Sequence, residues 1–246
     1  MRNKRFLIGA LGLAISMLFA SSAFAVTNVT QTIDGVLGGK EKPKFDKKKF
    51  KKTSVKVTTT TADADNPSGM PPKANTAIIT FDKKDVKFDS KAVPGCDPNA
   101  IENTSTDAAL AACGSSKVGT GHGSAALPFG VGGTRQDFDA NVVAFNRSDA
   151  KGILLHSRVD SLGTTVVLKG TLNGVVLTVD IPPLGGGVGA ISEFDTTVKA
   201  GKYIQGRCKD KKINYTGEFR FNDAPTAVAT DQQKCKQKKK KKHHHH

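Results

Sequence analysis

Tryptophan is absent from the 246 residues and tyrosine occurs only twice, which leaves 13 Phe as the main aromatic residue. The chain therefore has almost none of the Trp and Tyr rings that usually serve as sugar-stacking platforms. Periodic Leu/Ala/Glu/Lys stretches are nearly missing, which argues against a helical bundle. No close Cys-x-x-Cys pair exists, which disfavours a zinc site. Past residue 25 no apolar run of about 20 residues occurs, so no helical membrane span is expected. No motif asks for a cofactor. Thr, Val, Gly and Asp are plentiful instead, a balance that favours strands and turns.

The long apolar run that does exist lies at the start. Arg2, Lys4 and Arg5 precede the apolar stretch Phe6 to Ala20, and Ala23-Phe24-Ala25 supplies a small-x-small site. This order reads as a secretory signal peptide over residues 1–25, cut before Val26. The expected location is secreted or extracellular, in association with the cell envelope.

The formal net charge of +15 is unevenly spread. Residues 40–52 carry eight Lys and residues 234–242 carry seven, whereas residues 53–233 hold 19 basic and 19 acidic side chains. Blocks of like charge repel and bury little apolar surface. The pattern predicts a disordered Lys-rich leader (26–52), one β-rich domain (53–233) and a disordered Lys/His tail (234–246). His243 to His246 read as a native tail or the remnant of a purification tag.

Lys47, Lys48, Lys49, Lys51 and Lys52 in the leader are candidate contacts to an anionic surface. So are Lys238, Lys239, Lys240, Lys241 and Lys242 in the tail. Anionic envelope polymers or lipid head groups fit such flanks. Nucleic acid does not, because export and the scarcity of interleaved aromatics argue against it.

Four cysteines, Cys96, Cys113, Cys208 and Cys235, remain in an exported chain, and an even count there argues for disulfides. Three pairings are possible. Cys96–Cys113 and Cys208–Cys235 are favoured because each brackets a local segment, and each would contribute roughly 3 kcal/mol in the chain-entropy view.

Short strands are expected from Thr53 onward. The first is Thr53–Thr61, and the cleanest alternation is Tyr215–Phe221. Asn173-Gly174 between apolar runs predicts a hairpin. One helix is expected within Pro98–Gly114, capped by Thr104 or Ser105, with Gly114 as a left-handed C-cap. The sum is an all-β fold: a mostly antiparallel sandwich or barrel-like domain of roughly ten strands with one short helix.

The run Cys96-Asp97-Pro98, Ile101, Thr106, Ala112-Cys113-Gly114 and Val118-Gly119-x-Gly121 resembles a family of uncharacterised secreted bacterial proteins. Leu154-Leu155-His156, Ile181-Pro182-Pro183, Phe194-Asp195 and a late Cys near a Lys-rich end are similar to the same family. The resemblance covers roughly residues 43–240. It implies one exported unit and assigns no activity.

Candidate chemistry is sparse. Gly121-His122-Gly123-Ser124 places His near Ser but is not a nucleophile elbow, so a glycine-rich strand is the simpler reading. His156 sits in an apolar strand as a core or edge residue. Asp63-x-Asp65-Asn66 begins like a calcium loop, but Pro67 breaks the ligand pattern and an Asx turn is favoured. Asp137-x-Asp139 and Glu193-x-Asp195 read as turn or surface carboxylates rather than a glycosidase pair. The leading expectation is a non-enzymatic exported β-domain held electrostatically at an envelope or matrix. The alternatives are a ligand-binding module, with its site in the Pro182–Gly189 bend or the Gly119–Gly133 region, and a secreted hydrolase at His122 and Ser124.

Overall fold

Alternation organises these strands. In β14 (Lys212–Phe221), Ile213, Tyr215, Gly217 and Phe219 are buried while Lys212, Asn214 and Arg220 are exposed, because successive strand residues face opposite sides. The computed structural model describes residues 26, 28–130 and 132–238. With strands numbered in chain order, eleven form one sheet. Its spatial order is β1 (Val29–Leu37), β4 (Val55–Asp63), β12 (Ala190–Val198), β7 (Lys117–Phe129), β8 (Thr134–Asn146), β9 (Gly152–Val159), β10 (Thr164–Asn173), β11 (Val176–Asp180), β5 (Ala74–Phe81), β14 and β15 (Ala227–Lys234). All neighbours in it are antiparallel.

The sheet curls until its two outer strands meet, giving a near-closed barrel. Side chains of β15 join the free edge of β1. Asp231 Oδ2 accepts from Gly35 N at 3.0 Å, and Gln233 Oε1 accepts from Leu37 N at 2.9 Å. The Gln233 amide nitrogen donates to the carbonyls of Leu37 (3.1 Å) and Lys40 (2.7 Å), while the Tyr215 hydroxyl donates to Gln233 Oε1. Gly35 is required here: a Cβ on it would come within 2.3 Å of the Tyr215 ring.

One end of the barrel is plugged. A small sheet of β3 (Lys51–Lys52), β13 (Ile204–Gly206) and β6 (Val86–Phe88) lies across it. Val86, Tyr203, Ile204 and Cys208 are buried in the same core as Leu37, Val55 and Phe81. Edge-to-face contacts run from Tyr215 to Phe81, on to Phe88 and then to Tyr203. The outer face of β8 and β9 is covered by the helix α1 (Thr106–Cys113) and the turn before it, which pack Ala109, Cys113 and Ile101 against Val143, Phe145 and Leu154.

The alternating run Tyr215–Phe221 lies within β14, and the predicted strand Thr53–Thr61 is observed two residues later, as β4 (Val55–Asp63). The Asn173-Gly174 hairpin forms with Gly174 at φ 63, the first central position of its turn. Both favoured disulfides are present, Cys96–Cys113 with Cα atoms 5.4 Å apart and Cys208–Cys235 with 6.0 Å. Ser105 caps the helix by accepting from Ala108 N.

Three expectations need correction. Residues 26–52 are not a disordered leader, because β1 fills the last place in the barrel with Ile33 and Leu37 buried. Residues 234–238 are likewise ordered, since β16 (Lys236–Gln237) pairs in parallel with β2 (Lys44–Phe45). Gly114 is not a left-handed C-cap; its φ of −57 and ψ of −35 carry the chain into a 3-10 turn at Gly114–Ser116. The expected signal peptide, residues 1–25, and Lys239 to His246 lie outside the described residues.

The seam makes a stability prediction. Gln233→Ala leaves the buried Leu37 N–H and the Leu37 and Lys40 carbonyls without their side-chain partners, so the unfolding free energy falls by about 2–3 kcal/mol in a denaturant titration. The exposed neighbour, Gln232→Ala, changes it by about 0.5 kcal/mol or less. Equal effects of the two changes would show that the seam does not depend on this side chain.

Candidate functional site

The inward face of β7 is made of glycine. Gly119, Gly121 and Gly123 alternate with Thr120, His122 and Ser124. A Cβ at Gly121 would sit 2.0 Å from the Asp195 carbonyl oxygen and one at Gly119 2.3 Å from that of Thr197, so β7 and β12 bend together only because both positions lack one. The same alternation removes three side chains from the barrel interior, and Gly123 faces the Phe194 ring.

The barrel interior also holds two cavities. A cavity of about 120 Å³ lies among Val57, Thr59, Leu155, Leu177, Phe194 and Thr196. A smaller one of about 50 Å³, bounded by Gly123, Ala140, Ser157 and Leu184, shares Leu168, Ile191 and Phe194 with it as common walls. Leu184 belongs to the Pro182–Gly189 bend. Leu127 packs against that bend where Gly185 and Gly189 lie, each leaving no room for a Cβ beside its Cδ2. The two regions named from sequence as ligand sites therefore meet at one place. A separate outer cleft lies beside Asn103 and Pro182, and its charges Lys169 and Glu102 pair with each other at 2.9 Å.

The second candidate region is the plugged end. The Lys-rich leader and tail segments, some 190 residues apart, come together there. Lys236 sits opposite Lys44 in the β2–β16 pair, and the Cys208–Cys235 bridge anchors the tail strand to the plug. Lys236 N donates to Pro43 O and Lys238 N to Phe45 O, both at 2.8 Å.

The loop carrying Lys47 to Lys49 is built around Asp46, whose Oδ1 accepts from Lys48 N at 2.7 Å and Lys49 N at 2.9 Å. Those backbone donors, Lys49 first, hold the Asp46 carboxyl below its ordinary pKa. The Arg207 guanidinium stacks 4.4 Å over Phe50, donates to Lys48 O at 3.2 Å and also donates to Lys84 O. Lys47, Lys48, Lys49, Lys51, Lys52 and Lys238 all stay exposed. Lys239 to Lys242 lie outside the described residues.

The remaining candidates do not converge. His122 is exposed and Ser124 half-buried on the outer face of β7, and no hydrogen bond joins them among the described residues. Asp137 is held by Arg135 at 2.9 Å and Asp195 by Lys56 at 3.7 Å. Asp63 forms the Asx turn, accepting from Asp65 N at 2.9 Å and Asn66 N at 3.3 Å. His156 is fully buried beneath the helical insertion, its Nε2 3.1 Å from the Thr104 carbonyl.

No protein-family profile and no curated protein sequence matches the chain. Among solved structures, it is similar to a DUF4466 family protein from Parabacteroides merdae. The identity is 7% and the TM-score 0.34, over 84% of this chain and 44% of that one. The chain thus spans less than half of the length of that structure.

Burial makes His156 a pH-dependent element. Desolvation pushes its pKa below the ordinary 6.5, so the folded state holds it neutral while the unfolded chain protonates. The folded form then binds fewer protons. Stability is full above about pH 6.5 and declines as pH falls toward the depressed folded pKa, by up to about 1.4 kcal/mol per pH unit. In melts between pH 7 and 5.5, His156→Asn should flatten that slope relative to the unsubstituted protein. Unchanged slopes would show that His156 is not the group responsible.

Proposed function

We propose that this protein is a non-enzymatic, exported β-barrel that attaches through its plugged end to a surface rich in phosphate or carboxylate groups. The observation that carries this reading is the convergence of the two Lys-rich segments. They are distant in sequence, yet a parallel strand pair and a disulfide hold them on one end. A basic tail serving only solubility has no need of such fixing. Two disulfides fit an oxidising compartment, and the N-terminal sequence supports export. Each Lys near an anionic surface contributes about 1 kcal/mol, lost as salt rises.

Co-sedimentation with phosphatidylglycerol vesicles, alongside titration with soluble polyphosphate, tests this reading. The protein should bind one or both at 50 mM salt and be released by 1 M salt. Lys47→Glu/Lys48→Glu/Lys49→Glu should weaken binding about 100-fold or more, and Lys236→Glu/Lys238→Glu should act on the same binding. Charge reversal at Lys73 and Lys169, on other parts of the barrel, should leave it unchanged. Salt-resistant binding, or equal loss from the two sets of changes, would defeat the proposal.

A further inference from the structure

We propose that the hollow barrel interior is a binding site for a small, mainly apolar molecule carrying one hydroxyl or carbonyl group. This goes beyond surface attachment and rests on different residues.

Three observations carry it. The first is size. The main cavity, about 120 Å³ with the smaller one adjoining it, is on the scale of the roughly 150 Å³ apolar void that accepts benzene. The second is polarity. The walls are apolar except for a few hydroxyls, and two of these, Thr196 Oγ1 and Ser157 Oγ, are buried without a hydrogen-bond partner among the described residues. An unpartnered buried hydroxyl costs about 1–3 kcal/mol, so a group that pairs with it gains that much over an apolar analogue. The two lie on one row of the sheet, linked through the register Thr196–Gly121, Gly121–Val142 and Val142–Ser157.

The third observation is access. The plug buries Tyr203, Ile204 and Val86 at the basic end, so entry is at the opposite end, past the 64–73 and 181–189 connections that join non-neighbouring strands there, where Ile181 and Ile191 remain partly accessible. Around that end stand Phe129, Leu162 and Val188, three of the four large hydrophobic residues exposed among those described. They sit beside Gly130, Gly163 and Gly187, all at positive φ. Apolar residues on glycine-bearing loops make a rim that an apolar molecule can cross.

The test uses p-cresol and toluene as probes, followed by NMR shift titration and thermal melting of the full chain. Cresol should bind at least tenfold more tightly than toluene and raise the melting temperature. Thr196→Val/Ser157→Ala should abolish the difference while keeping toluene binding. Ala77→Phe, which fills the main cavity, should abolish both. Failure of both probes to bind at millimolar concentration, or equal affinity for the two in the unsubstituted protein, would overturn the proposal. If Ala77→Phe does not fold, the hydroxyl-deleted variant still decides. The vesicle assay reads the opposite end, so either proposal can fail without the other.

Discussion

The barrel depends on how β1 is held. Its inner edge has a regular backbone partner in β4, but its outer edge meets β15 through two side chains at alternate positions, Asp231 and Gln233. A buried strand edge with unpaired N–H groups is costly. These two residues place acceptors where a backbone ladder would otherwise supply them, and the Tyr215 hydroxyl fixes the Gln233 amide from inside. Burial in turn pushes the Tyr215 hydroxyl pKa up, which keeps it a donor. With the edge satisfied, the sheet encloses a volume instead of lying open.

Closure sets the two ends apart. The strands stop at one end at Leu37, Val55 and Phe81, and the connections there are long enough to fold back as the plug. Those same connections carry most of the lysines. The Cys208–Cys235 bridge fixes the tail against the plug, and the Arg207–Phe50 stack fixes the leader loop. At the other end 130–133 and 160–163 are tight glycine turns, whereas 64–73 and 181–189 join strands that are not neighbours in the barrel.

Much of the fold was legible where one face alone was buried, as in Tyr215–Phe221, and where turn chemistry was explicit, as at Asn173-Gly174. The runs Asn141–Asn146 and Gly152–His156 read as solid apolar stretches because both faces are covered, the inner by the barrel and the outer by the helical insertion. β1 was missed for a different reason. Its inward positions include Gln31 and Gly35, which dilute the apolar alternation carried by Ile33 and Leu37, and the lysines that follow suggest disorder. The cavities were missed because their walls are drawn from many strands, Val57, Thr59, Leu155 and Thr196 among them for the larger and Gly123, Ala140 and Ser157 for the smaller. Gly119 and Gly121 looked like part of a loose strand around His122 rather than the place where β7 and β12 bend together.

The opposed ends bear on how surface attachment and an interior ligand would coexist. A basic end pressed on an anionic surface leaves the Phe129, Leu162 and Val188 rim facing the medium. The lysine contacts are screened by salt within a few ångströms at high ionic strength, whereas contacts inside an apolar cavity are not. The two interactions thus respond to different conditions and use no common residue. A protein joined to its surface by charge and to its ligand by apolar burial can leave the surface without losing the ligand. That separation follows from placing the charge on the plug rather than on the strands.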